Sequence, residues 1–152
     1  MNTVKHSNDS RLQPWRKRRL TFWDRRYLPA ALLAGLVGTY SDLLFVGMGL
    51  YEFPLRPFPQ IFPINIVFTL GVLPLCVMIF LYYGSQVTKW GKLGIILFIS
   101  LLVPILEKLA EQLGYFVHSE NWQHIYSFFG YLFFLIWIDH FNHWVKSRKS
   151  RA

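Results

Sequence analysis

Polar residues in this chain gather at the two ends and in three short connections, and the stretches between them are almost continuously apolar. Four such runs, about 28–50, 62–83, 93–113 and 125–144, approach the roughly 20 residues a helix needs to cross about 30 Å of hydrocarbon. The pattern predicts an all-α fold, an integral membrane bundle of four transmembrane helices within residues 27–146. A basic cytoplasmic tail, 1–26, precedes the bundle and a second, 147–152, follows it. Residues 1–10 read as disordered and 11–26 as an interfacial segment. The first run exceeds the core of a signal peptide and reads as an uncleaved anchor.

Finer patterning sets which faces turn inward. In the first run Ala31, Gly35, Gly38 and Asp42 fall within roughly 60° of one another at about 100° per residue. Such a small-residue stripe lets a neighbouring backbone come close, and Asp42 continues it. Pro54, Pro57, Pro59 and Pro63 make the connection Tyr51–Pro63 extended, either as a stiff connector or as a lid. The second run has a weakly polar face with Asn65, Thr69 and Cys76, and Pro74 predicts a kink. In the third, Ser100, Glu107, Glu111 and Gly114 share a face, and Pro104 frees a carbonyl one turn before Glu107. The fourth is strongly aromatic and ends in Asp139-His-Phe-Asn-His143.

Composition and charge then give sidedness. The apolar share is 53% of 152 residues, and what lies outside the four runs is too little for a soluble domain. The net charge is +8. Of the lysines and arginines, Arg56 lies in the first or third connection and Lys108 inside a run; the rest lie in the tails or the second connection. Cation bias of this kind places both termini in the cytoplasm. Arg16, Lys17, Arg18, Arg19, Arg25 and Arg26, flanked by Trp15 and Trp23, form a basic patch suited to anionic headgroups rather than to nucleic acid. The bilayer is therefore the expected partner, and a membrane-protein partner or second copy stays open. Cys76 has no intrachain partner, so no disulfide framework exists.

Carboxylates inside apolar runs cost about 2.5–3.5 kcal/mol each at mid-membrane and call for a reason. At about 1.5 Å per residue, Asp42 and Glu107 reach a similar height, about 21 Å from the cytoplasmic side. With Glu52 at the rim, Asn65 just below the outer end and Glu111 one turn above Glu107, they define a candidate acidic outer pocket. Three readings compete: a structural register pair, in which the carboxylates share a proton or pair with Lys108, Arg56, Asn65 or tyrosines; a site for a proton, cation or amine, as in a small transporter; and a lipid-modifying enzyme using paired carboxylates. No nucleophile motif or phosphate-binding loop accompanies the carboxylates, so the expected protein is non-enzymatic and carries no cofactor. Asp139, His140 and His143 have helical spacing for a metal, but as an interfacial cluster they read more simply, so no metal site is expected there. His118 and His124, near Glu111 and Glu120, form a looser metal candidate.

The segments Ser41-Asp42-Leu-Leu, Tyr51-Glu-Phe-Pro54 and Glu107-Lys-Leu-Ala-Glu-Gln-Leu-Gly114-Tyr-Phe-Val-His118, followed by Asn121-Trp122, carry a resemblance. Over roughly 25–146 the chain resembles a family of small four-helix membrane proteins common in spore-forming Gram-positive bacteria. Family members often have glycine where Ser41 stands and tyrosine where His118 stands. The resemblance implies a bacterial cytoplasmic-membrane location and supplies no chemistry.

Overall fold

The structure, a computed structural model, describes residues 25–149. It is helical, with four helices and one short β-ribbon among the described residues. Helix α1 spans Leu28–Gly47 with Pro29 in its first turn, where the missing N–H has no partner to lose. It stops short of residue 50 because Gly49, at a φ of +69°, turns the chain away. The next helical stretch begins at Ile66, passes through a π-turn, Phe68–Val72, and continues as α2, Leu73–Gly84. Pro74 explains that widening. A proline inside a regular helix collides with the carbonyl four residues earlier, and a π-turn moves that carbonyl aside. The expected kink at Pro74 is therefore a π-turn, and the helix starts later than residue 62.

Helix α3 spans Lys89–Gln112 and passes through Pro104 without breaking. Thr88 caps it, its Oγ1 accepting the Gly91 N–H at 3.2 Å. Helix α4 spans His124–Lys149 and so extends past residue 144. Strands β1 (Tyr51–Glu52) and β2 (Val117–His118) pair antiparallel, Tyr51 facing His118 and Glu52 facing Val117. The Ser119 N–H extends the ribbon to the Leu50 carbonyl at 2.9 Å. The ribbon joins the connections that follow α1 and α3, which periodicity alone treats as separate.

Helices α1 and α2 pack along their length, as do α3 and α4, and α1 also touches α4; α2 and α3 meet sparingly. The α1–α2 seam uses the small-residue stripe. A Cβ on Gly35 would stand 3.1 Å from the Pro74 ring and 3.3 Å from the Thr69 carbonyl, and one on Gly38 would strike Leu73. Ala30, Ala31, Ala34, Val77, Leu81 and Ile138 form the buried centre. Much of the remaining apolar surface faces outward: Leu36 is 66% exposed, Phe98 66%, Ile105 64% and Phe133 65%. Helices α1 and α3 are long and apolar enough to cross a membrane. The stretch Phe68–Gly84 is apolar but shorter, and α4 is long but diluted by Asp139, Asn142 and its histidines.

Candidate functional site

Because α2 and α3 diverge, a cavity of about 1250 Å³ lies between the helices. All four helices line it, with Leu73, Phe80, Ile99, Leu102 and Phe134 among its apolar walls. Lining residues on the α2 and α3 sides, including Phe68, Ile79, Tyr83 and Leu106, are more than a third exposed, so the cavity opens laterally between these two helices. Its polar groups concentrate at the end beneath the ribbon.

There Tyr51 is buried and its hydroxyl donates to Asp42 Oδ1 at 2.7 Å. Burial, with the Asp42 carboxylate beside it, holds the Tyr51 phenol far above its ordinary value, so it stays protonated and donates. Phe45, Phe53, Phe116 and Trp122 pack around the Tyr51 ring with centroids 5.2–5.9 Å away. This aromatic plate closes the cavity's ribbon end and aims the hydroxyl at α1. On the opposite side, buried Ser127 of α4 donates to Glu107 Oε2 at 2.5 Å. Trp122 also lines the cavity, and its indole N–H finds no acceptor among the described residues.

The structure brings Asp42, Asn65 and Glu107 to one cavity and separates the other expected members from it. Asn65 is at the edge, where its Oδ1 accepts the Phe68 N–H at 3.2 Å and caps the helical turn at 66–67 that leads into the π-turn. Glu52 is exposed and not part of the lining, because the β1 register that turns Tyr51 inward turns its neighbour outward. Glu111 lies one turn too high and meets His118 and His124 instead, at 3.3 and 3.9 Å. Of the cations considered as partners, Arg56 donates to the carbonyls of Phe53, Phe62 and Pro59 at 2.6, 2.7 and 3.3 Å, and so folds the proline-rich connection. Lys108 is exposed.

At the far end, Lys92 Nζ lies 3.0 Å from both Asp139 oxygens and 3.0 Å from His143 Nε2. That ammonium fills the space between Asp139 and His143 and ties α3 to α4, while His140 is exposed. Arg25 and Arg26 stand just ahead of α1; Arg16, Lys17, Arg18 and Arg19 lie outside the described residues.

Sequence reasoning allowed tyrosines as carboxylate partners without singling out Tyr51, and it missed Ser127. Ser127 stands one turn into α4, and its approach to Glu107 depends on the α3–α4 crossing. A signal for Tyr51 did exist, since it begins the proline-rich connection next to the aspartate-bearing helix. Comparison of the chain with family models, with curated proteins and with solved structures finds no match.

Proposed function

We propose that this protein is a non-enzymatic, four-span protein of the bacterial cytoplasmic membrane that binds a single-chain amphipathic molecule. The molecule's apolar tail lies in the cavity, and its cationic or hydrogen-bond-donating head lies against Asp42 and Glu107. The cation bias supports cytoplasmic termini. The outward-facing Leu36 on α1, Leu75 on α2, Phe98 and Ile105 on α3 and Phe133 on α4 support lipid around the helices, since a water-facing monomer rarely exposes large apolar side chains on every helix. The basic N-terminal patch then rests on anionic headgroups.

One observation carries the ligand reading: the cavity is apolar along its walls, carries its two carboxylates at one end, and opens sideways between α2 and α3. Its volume of about 1250 Å³ exceeds the roughly 300–1,000 Å³ of ordinary small-molecule pockets. A lateral opening admits a tail directly from the bilayer. A proton- or cation-binding role uses the same carboxylates but leaves the apolar volume without a purpose.

The test uses Trp122 as the reporter, through the fluorescence difference between wild type and Trp122→Phe. Mid-chain-brominated stearylamine, titrated into protein in a mild detergent, should quench that component saturably and more strongly than brominated stearic acid does. Asp42→Asn with Glu107→Gln should reduce amine quenching to the level of the acid. Equal quenching by amine and acid in wild type would contradict the reading.

A further inference from the structure

Glu111, His118 and His124 come from three separate elements: the last turn of α3, strand β2 and the first residue of α4. Each offers a ligand atom, and these atoms lie within 4.8 Å of one another. The two imidazoles are oriented alike. His118 turns Nε2 to Glu111 Oε1 at 3.3 Å, and its Nδ1 lies 3.1 Å from the Ser119 carbonyl. A carbonyl only accepts, so Nδ1 carries a proton, and the neutral ring then offers its Nε2 lone pair on the Glu111 side. His124 turns Nε2 to Glu111 Oε2 at 3.9 Å and Nδ1 to Glu107 Oε2 at 3.7 Å. That Nδ1 is buried, and no hydrogen bond reaches it among the described residues.

We propose that Glu111, His118 and His124 bind a divalent transition-metal ion, zinc being the best fit to two imidazoles and one carboxylate. Three protein donors leave a fourth tetrahedral position for water or an external ligand. Glu107 stands outside the coordination sphere, its Oε2 3.7 Å from His124 Nδ1; closing that gap to a hydrogen bond on metal binding fixes the tautomer, as the Ser119 carbonyl does for His118. Donors about 2.0–2.2 Å from a tetrahedral ion stand about 3.3–3.6 Å apart, so ligand atoms now up to 4.8 Å from one another close by about 1.5 Å at most on binding. The bound ion ties α3, the ribbon and α4 together beside the aromatic plate. It also links to the cavity, because Glu107 belongs to both, yet the site stands whether or not the cavity takes an amphipathic ligand.

Zinc and cobalt(II) titrations of the purified full-length chain test the site. Wild type should bind one zinc at a competable site, raise its Tm with zinc, and with cobalt(II) give the intense visible bands of a tetrahedral ion. His118→Gln, His124→Gln and Glu111→Gln should each weaken zinc by at least about tenfold and remove the bands. Glu107→Gln should weaken zinc about 10–100-fold while keeping the bands, as an outer partner does. His143→Ala, at the other end of the molecule, should change neither. His118→Gln lies in the connection rather than in a helix, so it reports even if His124→Gln fails to fold. Zinc affinity and cobalt bands in His118→Gln equal to those of wild type would overturn the site, as would wild type without saturable binding.

Discussion

Asp42 shows how a single costly residue is accommodated. The stripe Ala31–Gly35–Gly38 turns it inward, but its partner is Tyr51, held in place by the turn at Gly49 and by pairing with β2. A hydrogen bond to a charged group contributes about 1.5–3 kcal/mol in soluble proteins, while bonds inside membrane bundles average about 0.6 kcal/mol. Tyr51 lies where the bundle meets its capping ribbon, so Tyr51→Phe should cost about 1–2 kcal/mol, measured by reversible unfolding in mixed micelles. Asp42→Asn, which still accepts from Tyr51, should cost less than Asp42→Leu, which leaves the buried hydroxyl alone. Stability of Tyr51→Phe equal to that of wild type would show that the bond contributes nothing.

Elements differ in how much of them periodicity reveals. Helices α3 and α4 fall close to the apolar runs, because a continuous apolar stretch bounded by polar residues leaves little choice. The π-turn was not legible: Pro74 signals trouble in the helix, but whether a helix kinks or widens depends on the partner packed against it. Here that partner is α1 at Gly35, next to Pro74 and the Thr69 carbonyl. Gly35→Leu should therefore destabilise the fold by about 1–3 kcal/mol or more, since neither the ring nor the backbone can yield. Gly94→Ala, in the open on α3, should be neutral or stabilising by up to about 1 kcal/mol, because alanine favours helix. A thermal-shift comparison of the two variants measures this difference, and equal Tm values would contradict the packing at the α1–α2 seam.

At the scale of the whole molecule, height along a helix was legible and the path of the connections was not. Counting residues placed Asp42 and Glu107 at one level, and both line the cavity. Glu52 and Glu111 depended on how the connections fold, and the ribbon sends one outward and the other to the histidines. The Asp139–His143 pair had helical spacing for a metal, yet Lys92 occupies it, because only tertiary packing decides which cation arrives. In the proposed four-span topology, with both termini inside, the cavity's acidic end faces away from the cytoplasm. Reporter fusions placed after Gln60, Gln86, Ser119 and Ala152 test it directly. Outside signals are expected at Gln60 and Ser119 and inside signals at Gln86 and Ala152. An inside signal at Gln60 or Ser119 would contradict it, placing the ribbon, the acidic end and the Glu111–His118–His124 cluster on the cytoplasmic side.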